Sequence, residues 1–93
     1  MKIVSFNSIG SLVKEYRIKK GWSQSDLSVL AGMRDRQGQH ISNIERGLAN
    51  LPPKRGYAVC KVLEVDPMLM IDAMVADFKN SLIEEFKSSG MQK

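Results

Sequence analysis

The chain has a single cysteine, Cys60, so no intramolecular disulfide can form, and a lone thiol fits a reducing cytosol better than a secreted scaffold. One cysteine and one histidine cannot assemble a structural zinc site, so neither a metal nor any other cofactor is expected. No Ser/His/acid or paired-carboxylate arrangement stands out, and the chain is not read as an enzyme. No apolar run approaches the roughly 18 residues that a membrane span needs. The opening "MKIVSFNSIG" also lacks the apolar stretch and small-residue cleavage site of a signal peptide. A soluble cytoplasmic protein without membrane contact is the expectation. Aromatic residues make up only 6%, which leaves few platforms for stacking RNA bases. Three prolines and seven glycines are few enough to favour helix.

What is present suits one compact domain: 93 residues, 43% apolar and 26% charged. The net charge of +4 is unevenly spread. Residues 1–61 carry eleven Lys/Arg against four Asp/Glu, a net of +7, and residues 62–93 carry three against six, a net of −3. A basic part joined to an acidic amphipathic part suggests a surface for phosphates coupled to a region that packs or pairs with protein.

Ile9, Leu12, Val13 and Tyr16 lie at i, i+3, i+4 and i+7, which predicts a helix over 9–20 with Ser8 as N-cap and Gly21 as terminator. A second short helix follows from about Ser23 to Ala31. Ser23 caps it, Asp26 suits the positive end of its dipole, and Gly32 ends it. A third helix contains at least 39–46, with Ile41 and Ile44 inward and Gly47 as the stop. After the "LANLPP" loop, a fourth helix runs over 53–64, with Ala58, Val59, Val62 and Leu63 as its buried stripe. Asp66 as N-cap and Pro67 at the first helical position open a fifth, which continues to about Ser88. About 22 residues span about 33 Å, more than four short helices need as cover. Its stripe of Ile71, Val75, Phe78, Leu82 and Phe86 calls for a partner. "KIVSF" reads either as a short strand pairing with its copy in a dimer or as an ordered arm.

Two short helices joined by a turn containing Gly32 give the outline of a helix-turn-helix. "IGSLVKEYRIKKGWSQSDLSVLAG", then "ISNIERG", then "LEVDP" resembles the lambda-repressor-like or XRE family over roughly residues 9–71. Gly10, Arg17, Gly21, Gln24, Leu27, Gly32, Ile41, Ile44, Glu45 and Gly47 carry the resemblance. It implies an all-α, five-helix domain at 9–71, preceded by an arm at 1–8. An extension of the last helix over 72–93 would serve dimerisation through Ile71, Met74, Val75, Phe78, Leu82 and Phe86.

The same resemblance implies that the third helix enters the major groove of double-stranded DNA. Base-contact candidates are Arg36, Gln37, Gln39, His40, Ser42 and Asn43, because Gln and Asn pair with adenine and Arg with guanine. Phosphate-contact candidates are Ser23, Gln24, Arg34, Arg46, Asn50, Lys54 and Arg55. Arg17 and Glu45 are implied to pair as a tie between helices 1 and 3. Trp22 reads as packing over the junction of helices 1 and 2.

One departure from the family pattern is plain: Gly32 to Ile41 is three residues longer than usual, within "MRDRQG". In one solution Asp35 caps a third helix lengthened at its N-terminus. In the other the turn itself is longer, Arg34 and Arg36 sit at phosphates, and the helix starts near Gly38. The longer turn is preferred, since glycine is poor inside a helix. The expected function is a DNA-binding transcriptional regulator, a repressor acting on a palindromic operator as a homodimer. The alternative is an antitoxin-like chain that masks a protein partner and autoregulates its operon.

Overall fold

A computed structural model of the protein describes residues 7–90. The strand or arm read from "KIVSF" lies outside them. Among the described residues there are five helices: α1 (Asn7–Lys20), α2 (Gln24–Leu30), α3 (Gln39–Glu45), α4 (Pro53–Leu63) and α5 (Pro67–Ser88). α1 packs on α5 and α3, α2 on α3 and α4, and α4 closes the bundle against α1 and α5. Ile9, Val13, Leu27, Ile41, Ile44, Leu51, Val59, Leu63 and Met70 form the buried core, with Met33, Cys60 and Val65 beside them.

The helix ends follow local chemistry. Ser23 and Asp26 make a reciprocal capping box on α2, each side chain accepting from the other's backbone N–H at 2.9 Å. Asp66 accepts from the Met68 N–H at the start of α5, with Pro67 at the first helical position. Trp22 is half-buried against the core, with the Lys20 ammonium 5.7 Å from its ring centroid. Burial pushes the Cys60 thiol pKa up, as suits a small core side chain.

The start of α1 departs from the sequence expectation. The helix begins at Asn7, so Ser8 is inside it and is not its N-cap. The N–H groups of Ser8 and Ile9 instead donate to the two carboxylate oxygens of Asp77, at 3.0 and 2.9 Å. Asp77 comes from the middle of α5 and is only 2% exposed. A distant, buried carboxylate does the work that the neighbouring hydroxyl was expected to do.

α5 carries two stripes. Met70, Ala73, Met74 and Asp77 turn toward the bundle, and Ile71, Val75, Phe78, Leu82 and Phe86, one position further on, face outward and are exposed. Met74 packs where Gly56 brings α4 close: a Cβ on Gly56 would collide with the Met74 methyl. Gly10 serves α1 in the same way, since its missing Cβ would lie 2.5 Å from the Ile44 carbonyl oxygen of α3.

Candidate nucleic-acid interface

The interface is built on α2, the enlarged turn and α3. α2 ends at Gly32, whose φ of 74° is left-handed and favours glycine. The chain then runs through Met33, buried in the core, to Gly38 without helix, and α3 starts at Gln39. The three additional residues are thus loop. Asp35 nevertheless caps α3 from within that loop: its carboxylate accepts the His40 N–H at 2.7 Å and the Gln37 N–H at 3.0 Å. Those hydrogen bonds hold the Asp35 pKa below the usual carboxylate range.

α2 pins this loop. The Ser28 hydroxyl, fully buried, donates to the Asp35 carbonyl, and the Ser25 hydroxyl donates to the Arg36 carbonyl at 2.8 Å. Gly38, at φ 88°, lies so close to α2 that a Cβ would be 2.7 Å from the backbone of Gln24 and Ser25. Neither serine was singled out from the sequence. Ser28 did carry a signal: it follows Leu27 and precedes Ala31 on the face that the helical period turns inward, where a polar group needs a partner.

α3 is held from behind by its core isoleucines and by Glu45. Arg17 grips Glu45 through two guanidinium nitrogens, at 2.6 and 3.0 Å, and reaches the Trp22 carbonyl at 2.7 Å. Gln24, considered from sequence for a phosphate, donates its side-chain amide to the same Glu45 carboxylate at 3.0 Å. One buried acid therefore ties α1, α2 and α3 together. Ser23, another phosphate candidate, uses its hydroxyl oxygen in the α2 cap.

On the outer side, Gln39, Asn43 and Arg46 form one row. Asn43 Oδ1 accepts from Gln39 at 3.1 Å and from Arg46 at 2.8 Å, so the three side chains are mutually aligned. Ser42 is half-buried next to them, as is His40. Gln37 and Arg36 are exposed on the turn. Asn50 folds back on its own loop, its side-chain oxygen accepting the Leu51 N–H at 2.8 Å. Arg34, Arg36, Lys54 and Arg55 are exposed and enter no ion pair among the described residues. Among the described residues no group of three potential metal ligands gathers, and no helix is long and apolar enough to cross a membrane.

A short helix anchored in the core, a second one crossing beside it with a polar outer row, and exposed arginines and a lysine around that row define a DNA-binding helix-turn-helix protein of the lambda-repressor-like kind. The chain belongs to the helix-turn-helix family, whose pattern it matches over residues 13–69. It is similar in structure to the wild-type restriction-modification controller protein C.Esp1396I, with 27% sequence identity and a TM-score of 0.62. The match covers 83% of this chain and 95% of the controller protein. No curated protein matches the chain significantly. Family and fold together make it a DNA-binding transcriptional regulator.

Proposed function

We propose that the protein is a repressor that binds a palindromic operator as a homodimer. The observation that carries this reading is the outward stripe of α5, where Val75, Phe78 and Phe86 are each about 60% exposed on a helix whose other side packs on the bundle. Pairing two copies through Ile71, Val75, Phe78, Leu82 and Phe86 removes that apolar surface from water. Two-fold symmetry then sets two α3 helices about 34 Å apart on one face of the duplex. Where the operator overlaps a promoter, a body covering that length of DNA excludes polymerase, which would be the repressive sense. The likeness to a controller protein supports a regulatory role. Met74 contributes less to the pairing, because it is already packed beneath Gly56.

In this reading Gln39, Ser42 and Asn43 read bases, and Arg46, Lys54 and Arg36 hold the backbone. In vitro selection of duplex DNA, combined with light scattering of the free protein, tests it. The expected result is an enriched inverted repeat and a dimer at micromolar concentration. A monomer with undiminished affinity for a half-site, or only steeply salt-dependent binding without any enriched motif, would overturn it. Co-purification of a stoichiometric second protein seated on the α5 stripe would instead favour the antitoxin-like alternative.

A further inference from the structure

α1 starts beside the middle of α5, and residues 1–6 precede it. The Ser8 and Ile9 N–H groups sit on the Asp77 carboxylate, so the chain enters α1 at the level of that residue. α5 continues past Asp77 to Ser88, about three further turns. Its bundle-facing row does not stop at Asp77. Met70, Ala73, Asp77, Ser81 and Glu84 follow one another at spacings of 3, 4, 4 and 3, which keeps them on one side of the helix. Every member of the row is buried or half-buried, whereas Phe78, Leu82, Glu85 and Phe86 on the same turns are exposed. Ile83, beside the row, is also half-buried, yet among the described residues it does not pack on the core cluster.

We propose that residues 1–6 dock on the far part of this row in their own chain, with the apolar side chains of Ile3, Val4 and Phe6 over Ile83 and the Lys2 ammonium at the Glu84 carboxylate. Length supports it. From Asp77 to Glu84 the helix rises about 10 Å, and the stretch from Lys2 to Asn7 spans up to about 17 Å when extended, so Lys2 reaches Glu84 with slack. Charge supports it as well, because Lys2 is the one charged residue in "MKIVSF" and the turn of α5 within its reach carries Glu84 and Glu85. Attachment favours the chain's own α5 over that of a second copy: fastening at Asp77 holds the segment at a high effective concentration over this surface. The inference does not depend on the pairing of copies, since the stripe of Ile71, Val75, Phe78, Leu82 and Phe86 lies on the other side of the helix. It gives that stripe a brace, because the docked segment supports the turns that carry Leu82 and Phe86.

The test uses the full chain with pairs of introduced cysteines, the buried native Cys60 being left in place. Lys2→Cys with Glu84→Cys links the segment to the row, and Lys2→Cys with Lys79→Cys links it to an exposed position off the row. After mild oxidation the expected result is a disulfide within one chain for the first pair and little for the second. Equal yields mean a tethered segment without a seat and overturn the proposal. A disulfide between two chains puts the segment on a second copy and overturns it too, as does the absence of any disulfide. Hydrogen exchange of the amides in the last two turns of α5 gives a reading without cysteines. Lys2→Glu leaves α5 itself unaltered but sets two like charges together, and exchange should speed up about threefold; adding Glu84→Lys should bring it back to the native rate. Exchange that Lys2→Glu leaves unchanged, or that Glu84→Lys does not restore, overturns the seat. Neither readout involves DNA or self-association, so failure of the repressor reading leaves both intact.

Discussion

The two ends of α1 are each fastened by a buried carboxylate from elsewhere in the chain. Near the C-terminal end Glu45 of α3, its side chain 4% exposed, holds the Arg17 guanidinium and the Gln24 amide. At the N-terminal end Asp77 of α5, 2% exposed, holds the N–H groups of Ser8 and Ile9. The first acid is met by side chains, and the second by backbone. Glu45 ties α3 to α1 and α2, whereas Asp77 ties α5, with its outward apolar stripe, to the start of α1. In the proposed reading, the helix that reads DNA and the helix that pairs copies are thus anchored at opposite ends of α1. The difference also bears on legibility: the Arg17–Glu45 pair was implied by the family resemblance, whereas nothing in the sequence marked the backbone N–H groups that Asp77 holds.

Glu45→Ala should have the largest effect. It leaves the Arg17 charge, only 12% exposed, without its acid, at a cost of about 3 kcal/mol in a denaturant titration. Operator affinity should fall further than this loss of folded protein explains, since α3 loses its tie to α1 and α2. A shift in stability with DNA affinity unaltered would refute the orienting role.

Asp77→Ala comes next, at about 2 kcal/mol, because two hydrogen bonds to a carboxylate at a helix start are lost, leaving the buried Ile9 N–H and the half-buried Ser8 N–H without that acceptor. Its mark should be the reverse of the first: self-association through the proposed α5 interface, measured by sedimentation, is weakened, and base preference in a selection is kept. Equal damage to both properties would erase the contrast between the two ends.

Gly10→Ala probes the stretch of α1 between the two anchors, where an added Cβ meets the Ile44 carbonyl. Overpacking of this kind costs about 1 to 3 kcal/mol, and with α3 able to shift slightly we expect about 1.5 kcal/mol from thermal melting. A neutral result would mean that α1 and α3 are not in close contact.

The smallest effect concerns Asp35. Its folded pKa is depressed, so its stabilising contribution is present above the unfolded pKa and is lost as pH falls through the folded one. Melting temperatures between about pH 5 and 2 should fall less steeply for Asp35→Asn than for the native chain. Superimposable acid profiles would show that the cap on α3 contributes nothing.

Much of the fold was legible because its signals are local. The spacing of Ile9, Leu12, Val13 and Tyr16, the Ser23–Asp26 pair and the Asp66–Pro67 start placed the helices to within a residue or two. The preference for a longer turn over a longer helix came from Gly38 alone, and its left-handed φ of 88° against the backbone of α2 gives the reason. Of the candidate site, the alignment of Gln39, Asn43 and Arg46 was readable from helical spacing. The engagement of Gln24 with Glu45 and the serines that hold the turn were not, since each joins residues from different elements.

Sequence by itself determined the five helices, the caps of α2 and α5, the inward isoleucines of α3 and the polar row it presents, because period and capping act over a few residues. Tertiary structure decided which stripe of α5 packs and which stays exposed, and which acid caps α1. Those outcomes depend on how helices cross, and the interacting groups at a crossing are often backbone amides and carbonyls, which every residue type but proline shares in full.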